Sequence, residues 1–200
     1  MNRLLGAVGL GVVVLCHGAL AQVVEVESNG LTYQTLTRSG VAVMFTHLPG
    51  ALHQYAIIQV AISNGSPGPY VIRPEDFTFE RSDGHAIRAV SAAAVIDMLR
   101  RKGNGNDAIK LVTTYESGVY GNPHLRSTNG YESRRQAVIA ATGSKVKTAL
   151  LASLLTLVQT KLAIGESTDG AVFFPTDGKP LGNGRLVVRT NTDVFQFNAE

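Results

Sequence analysis

Short segments in which apolar and polar residues alternate occupy much of residues 31–87 and return at the end of the chain. The clearest lies at 55–63, where Ile58, Val60 and Ile62 share one face, because successive side chains of a strand point to opposite sides. Similar segments lie at 31–37, 41–46, 70–73, 77–81, 171–174, 186–189 and 194–197. Turns rich in glycine, proline and asparagine separate them. About eight short strands in this arrangement predict a β-sandwich.

The hydrophobic period changes between these two parts of the chain. Residues 91–101, 131–141 and 145–161 have helical periodicity, and a further short helix is expected to begin at Asn106 or Asp107 and to end near Tyr115. The fold class is therefore predicted to be β-rich with an α insertion (α+β). Its parts are a sandwich formed by 22–87 and 162–200 and a helical insert formed by 88–161. Residues 162–170 are expected to form a loop before the strand 171–174.

The first 21 residues have the three parts of an export signal. Arg3 supplies a positive charge, residues 4–15 are an unbroken apolar run, and Ala19-Leu20-Ala21 provides the small residues of a signal peptidase site. We expect cleavage between Ala21 and Gln22 and a mature chain that is periplasmic or extracellular. An uncleaved membrane anchor is the alternative, although the apolar run is shorter than the roughly 20 residues that span a bilayer.

Cys16 is the single cysteine of the chain and lies within this predicted signal. A lipoprotein signal requires a small residue immediately before the cysteine, but that position holds Leu15. The mature chain is therefore expected to have no thiol, no disulfide and no lipid anchor, so an ordinary hydrophobic core must stabilise it. The same argument excludes cysteine catalysis and zinc sites built from cysteine.

The last predicted helix, Lys145–Lys161, has an unusual surface. Its leucines and valines cover about half of the helical circumference. The other half carries small residues, including Thr148, Ala152 and Thr156, and no charge occurs from 148 to 160. An exposed helix face normally carries charge, so we expect this second face to be covered. The cover is either the neighbouring helix 131–141, a second subunit or a partner in the cell envelope.

Charge is distributed unevenly along the predicted mature chain. Residues 88–161 contain eleven basic and four acidic side chains, whereas residues 22–87 contain three basic and six acidic ones. Such a basic block favours an anionic partner, although a solvated helix surface can have the same composition. The candidate contact patch combines basic residues of the insert with the small face of its last helix: Arg100, Arg101, Lys102, Arg134, Arg135, Thr148, Ala152 and Thr156.

Several turns of the β-rich parts resemble those of a known family. The features concerned are the Asn64-Gly65-Ser66 turn, the element Pro74 to Phe77, the Asp83-Gly84 turn, and Gly165-Glu166-Ser167 followed by Gly170 to Phe174. Together they resemble the telokin-like, immunoglobulin-like domains of bacterial exported proteins. The resemblance covers roughly residues 40–87 and 162–200 and leaves out the helical insert. It implies an immunoglobulin-like β-sandwich that serves as an adhesion, binding or structural module, and its motifs carry no chemistry.

The sequence offers little that indicates catalysis. The four histidines after the signal, at 47, 53, 85 and 124, lack metal-ligand spacing, and we predict no metal or cofactor. Asp76, Asp83, Asp169 and Asp177 are predicted to lie in turns, where aspartate bonds to nearby backbone. The chain has no phosphate-binding loop, dinucleotide fingerprint or nucleophile elbow.

Two functions of different classes follow from these observations. The first is a non-catalytic, exported binding or structural module of the cell envelope, whose basic insert contacts a protein or an anionic envelope surface. The alternative is a hydrolase with a site at the junction of sandwich and insert, favoured if Asp83, His85 and Glu116 share a concave pocket. Nucleic acid is a less suitable partner for an exported protein, and the Lys145–Lys161 helix offers a surface for a homo-oligomer. No transmembrane helix is expected in the mature chain.

Overall fold

The structure is a computed structural model that describes residues 22–102, 110, 112–118, 127–135 and 153–199. The strands are β1 (Val24–Ser28), β2 (Leu31–Arg38), β3 (Val41–Leu52), β4 (Tyr55–Asn64), β5 (Tyr70–Ile72), β6 (Phe77–Arg81), β7 (Ala86–Arg88), β8 (Thr160–Leu162), β9 (Ser167–Pro175), β10 (Gly184–Arg189) and β11 (Val194–Ala199). Helix α1 covers Ala92–Lys102, and a 3-10 turn covers Pro74–Asp76. Residues 112–118, 131–135 and 153–155 are also helical.

The named strands pair in antiparallel fashion and form two main sheets. A five-stranded sheet has the order β1-β2-β3-β4-β9, and a four-stranded sheet has the order β11-β10-β6-β7, while β5 and β8 form a separate pair. β9 pairs with β4 along its whole length, from the pair Tyr55–Pro175 to the pair Ser63–Ser167. The C-terminal part of the chain therefore completes a sheet that the N-terminal part begins.

One hydrophobic core lies between the two main sheets. It includes Ile58, Val60 and Ile62 of β4, and Phe77 and Phe79 of β6. The alternation of apolar and polar residues along 55–63 predicted that the three β4 residues share one face, and each is almost fully buried. The fold is thus a β-rich, sandwich-like α+β arrangement, as the hydrophobic pattern predicted.

A second core lies on the other face of the five-stranded sheet, beneath the insert. Ile57 of β4 and Phe173 of β9 pack there with Val95 and Leu99 of α1 and with Tyr115. This explains why β4 and β9 bury apolar side chains on both faces, since a sheet that is covered on both sides has no face directed to water. α1 agrees with the helix predicted at 91–101. No helix in the described ranges is long and apolar enough to cross a membrane.

The prediction of a helix over Lys145–Lys161 is wrong beyond Leu155. Thr156 forms a parallel bridge with Ala171, the Leu157 N–H donates to the Ala171 carbonyl at 2.9 Å, and β8 begins at Thr160. Pairing with the edge of β9 satisfies the backbone and places Leu157 in the core between the sheets. Helix propensity is a weak preference that such tertiary contacts override. Residues 145–152 lie outside the described part of the chain.

Gly170 allows the chain to approach β9 so closely. A Cβ at this position would lie 2.6 Å from both the backbone nitrogen and the Cα of Leu157, closer than side chains ever come to backbone. Gly170 belongs to β9, which begins at Ser167. The loop predicted for 162–170 therefore ends earlier than expected, and Asp169 lies within a strand rather than in a turn.

Candidate functional site

The side chain of Asp169 lies at the junction between the five-stranded sheet and the insert. Asp169 pairs with Ala61 of β4, and its side chain projects from the sheet face that the insert covers. Only 2% of its surface is exposed. A carboxylate buried to this degree is strongly destabilising unless hydrogen-bond donors surround it, so the donors around Asp169 define the site.

Two segments of the insert, 112–118 and 127–135, supply those donors. The Tyr115 hydroxyl donates to Oδ2 at 2.6 Å, and the Tyr131 backbone N–H donates to Oδ1 at 3.0 Å. The Ser127 hydroxyl donates to Oδ1 as well. Both carboxylate oxygens are therefore engaged. One side chain of the sheet thus connects residues that are far apart along the insert.

Arg134 strengthens the same junction through main-chain carbonyls. Its guanidinium donates to the carbonyls of Asp169 at 2.8 Å, Leu154 at 3.0 Å and Asn129 at 3.2 Å. A guanidinium has five N–H donors in a rigid plane, which suits it to joining several acceptors at once. Arg134 was predicted to be part of a contact patch, but its donors are directed to the protein's own backbone.

Glu116 belongs to a neighbouring cluster within the insert. It accepts a hydrogen bond of 2.5 Å from the Tyr131 hydroxyl, and Arg135 lies 3.3 Å from the same carboxylate oxygen. The rings of Tyr115 and Tyr131 meet edge to face, with centroids 5.2 Å apart, an arrangement that aromatic pairs prefer. Arg135 therefore has an ion-pair partner inside the insert.

A buried amide, Gln59, lies on the same face of β4. Its side chain is 1% exposed, and neither amide atom completes a hydrogen bond with the described residues. The Gln59 oxygen contacts Gly118 so closely that any side chain at 118 would overlap it. Next to this contact the Tyr33 hydroxyl donates to the Gly118 carbonyl at 2.9 Å. The insert thus closes directly over the polar atoms of Gln59.

The electrostatic environment follows from this burial. Desolvation raises the pKa of Tyr115 well above its ordinary value, and the negative charge of Asp169 raises it further. Gln59 faces the Tyr115 hydroxyl and has a smaller, opposite effect on that pKa, although its geometry falls short of a hydrogen bond. Burial also raises the pKa of Tyr33. Both tyrosines therefore stay protonated and act as hydrogen-bond donors.

The residues of the predicted contact patch have different environments. Arg101 is exposed on α1, and Thr156 is 1% exposed beside β9. Arg134 and Arg135 make the contacts given above. Arg100 and Lys102 lie on α1, but their side chains are not among those described, and Thr148 and Ala152 lie outside the described residues. The structure thus describes the side chains of half of the patch, and three of those four contact the protein itself.

The three residues that would favour a hydrolase have separate surroundings. His85 Nδ1 lies 3.2 Å from Asp83 Oδ1 in the exposed turn between β6 and β7, whereas Glu116 pairs within the insert. Among residues 22–102, 110, 112–118, 127–135 and 153–199, no three His, Cys, Asp or Glu side chains group as metal ligands would. The Asp169 cluster was missed because Asp169 was predicted to lie in a turn.

Comparison with known proteins adds little. No protein family matches the sequence, and no curated protein matches it. A solved structure with a partial likeness is the crystal structure of the yjhA protein from Bacillus subtilis, with 10% sequence identity and a TM-score of 0.37 over 88% of this chain and 96% of that chain. This similarity is too low to indicate a shared family or function.

Proposed function

We propose that this chain is an exported, non-catalytic binding module of the cell envelope. In this proposal an immunoglobulin-like sandwich of the telokin-like kind is the scaffold, and the helical insert is the part that faces an anionic envelope surface. The export signal predicted at 1–21 and the basic character of 88–161 motivate the location and the partner.

The observation that carries the proposal is that Asp169 is buried and both of its oxygens accept hydrogen bonds from the insert. Its two oxygens accept bonds from Tyr115, Ser127 and the Tyr131 backbone. A catalytic carboxylate must exchange a proton or a bond with a substrate, and it therefore needs an accessible lone pair. The hydrogen bonds around Asp169 instead suit a structural role, in which this residue holds the insert rigidly against the sheet. A rigid insert loses less conformational entropy when it binds a partner.

The basic residues exposed on the insert are the candidates for contact with an anionic counterpart. They include Arg101 and Lys110, whereas Arg134 is used internally, and the acidic Asp97 and Glu132 are exposed as well. Each Lys or Arg held near an anionic membrane surface contributes about 1 kcal/mol to association. A few such residues on a rigid insert are sufficient for reversible, salt-sensitive binding.

Charge reversal on the insert tests the proposal. The variant Arg101→Glu/Lys110→Glu is compared with Lys179→Glu/Arg189→Glu, which makes the same charge change at exposed positions of the sandwich. Binding to phosphatidylcholine vesicles with and without phosphatidylglycerol is measured by co-sedimentation. We expect binding only to anionic vesicles, and a loss of about tenfold or more in the insert variant, since two charges are reversed.

Other outcomes would overturn this proposal. Equal losses in both variants would indicate that net charge alone matters. An absence of binding at low salt would exclude an anionic lipid surface as the partner. Hydrolysis of a generic ester or peptide substrate that is abolished in Asp169→Asn, with folding retained, would favour the hydrolase alternative.

A further inference from the structure

β1 forms an open edge of the five-stranded sheet. Within the described ranges it pairs with β2 and has no strand on its other side. The opposite edge, β9, is covered by Thr156 and Leu157. An unpaired strand edge presents a row of backbone donors and acceptors that another extended chain can use.

The edges of the four-stranded sheet are less available. The β11 carbonyls of Val194 and Asn198 accept hydrogen bonds from the Arg38 and Gln34 side chains of β2, and β7 at the other edge is three residues long. Side-chain capping and short strands are common ways in which proteins protect sheet edges. β1, with five residues, has neither form of protection in the described structure.

The turn between β1 and β2 determines which backbone groups face outward. Asn29 and Gly30 both have positive φ, 50° and 72°, as in the two-residue turns that close tight hairpins. Ser28 and Leu31 flank such a turn as a hydrogen-bonded pair. Hydrogen-bonded and non-hydrogen-bonded pairs alternate along an antiparallel ladder, so the backbone of Val26 also bonds to β2. The N–H and C=O groups of Glu25 and Glu27 therefore point away from β2, into the open side.

The side chains of β1 add a chemical preference. Val24 and Val26 are 55% and 49% exposed on one face, while Glu25 and Glu27 are exposed on the other. Gln34 holds the Glu25 carboxylate in place with a hydrogen bond of 2.7 Å. A strand laid beside β1 would therefore meet apolar side chains on one face and negative charges on the other.

We infer that β1 binds an extended segment of a partner protein, in which apolar residues alternate with lysine or arginine, by adding it as a sixth strand to the sheet. Alternating apolar side chains would meet Val24 and Val26, and the basic ones would pair with Glu25 and Glu27. A second copy of β1 fits less well, because antiparallel pairing about Val26 would place Glu25 of each copy opposite Glu27 of the other. Like charges directly opposite each other destabilise a strand pair.

Two labelled peptides of alternating residues serve as probes, one of valine and lysine and one of valine and glutamate. A peptide with the composition of the first but a block order controls for non-specific attraction. Binding to the purified protein is followed by fluorescence anisotropy, and amide hydrogen exchange reports on Glu25 and Glu27. We expect the alternating basic peptide alone to bind and to slow exchange at these two amides.

Two variants make the test specific. Glu27→Pro removes an outward N–H without removing a bond to β2, so the fold should persist and binding should weaken about tenfold or more. Glu27→Gln is its matched control, since it removes the charge and keeps the N–H. Glu25→Lys/Glu27→Lys should exchange the preference between the two alternating peptides, which tests the inference independently of any effect of proline on folding.

Several results would refute the inference. Binding of neither peptide, equal binding of the block peptide, or an unchanged preference in the double lysine variant would each exclude recognition by β1. A concentration-dependent dimer that Glu27→Pro abolishes would show that the occupant is a second copy. The vesicle experiment concerns the insert, so the two proposals fail or succeed separately.

Discussion

The Tyr115 hydroxyl donates a 2.6 Å hydrogen bond to Oδ2 of Asp169 across the boundary between insert and sheet. Both residues are buried. This bond therefore links the stability of the insert to that of the sheet.

Tyr115→Phe should lower the free energy of unfolding by about 1–3 kcal/mol, because a buried carboxylate loses a donor that water does not replace. Urea unfolding followed by circular dichroism measures the change. Tyr131→Phe is the matched control: it removes the donor to Glu116, whose side chain is 25% exposed and can accept from water. Its cost should be about 0.5–1.5 kcal/mol, and equal costs in the two variants would contradict the role assigned to Asp169.

Stability should also decline at alkaline pH. Burial and the charge of Asp169 hold the pKa of Tyr115 well above its ordinary value, so the unfolded chain releases this proton near pH 10 while the folded chain retains it. The stabilisation is complete below about pH 10 and then falls by about 1.4 kcal/mol per pH unit for each such tyrosine. Denaturant unfolding at a series of alkaline pH values should show a shallower decline in Tyr115→Phe. The same slope in both proteins would argue against this assignment.

Gln59→Leu should stabilise the protein. Within the described part of the chain the Gln59 amide is buried without a completed hydrogen bond, and replacing it with an apolar side chain of similar size removes a desolvation penalty of about 1–3 kcal/mol. Thermal and urea unfolding measure the gain, with Gln196→Leu at an exposed position of β11 as the control. A less stable Gln59→Leu protein would mean that the amide has a partner in solution, such as a bound water or ligand.

Thr156→Arg should destabilise the chain itself, by about 3 kcal/mol or more, because Thr156 is 1% exposed beside β9 and a charge there would be buried and unpaired. Val158→Arg, two residues away and 37% exposed, should change stability little. Sedimentation of both variants separates this outcome from a subunit interface. Loss of self-association without loss of stability in Thr156→Arg would show that position 156 lies between subunits instead.

Local pattern predicted much of the sandwich. Alternation along 55–63 identified both faces of β4, and the turns at Asn64 and Asp83 were predicted from residue type alone. The same reasoning failed at Thr156. The sequence around it has helical periodicity and no charge, but the helix ends at Leu155 and Thr156 pairs with Ala171. It failed again at Asp169. A segment that contains Ser167, Thr168, Asp169 and Gly170 has the composition of a turn, and the hydrogen-bond donors that hold the Asp169 carboxylate in a strand lie far away in sequence.

The sequence by itself determined eight of the eleven strands, the apolar and basic character of the insert, and the expectation of export, because each depends on residues that are neighbours along the chain; it did not predict β1, β7 or β8. The tertiary structure decided that Asp169 anchors the insert, that Arg134 faces inward and that β1 forms an open edge. Those features depend on residues far apart in sequence, such as Tyr115 and Asp169, whose burial and partners exist only once the chain has folded. A buried polar side chain is stabilised by its hydrogen-bond partners, and the local sequence pattern does not specify which residues those partners are.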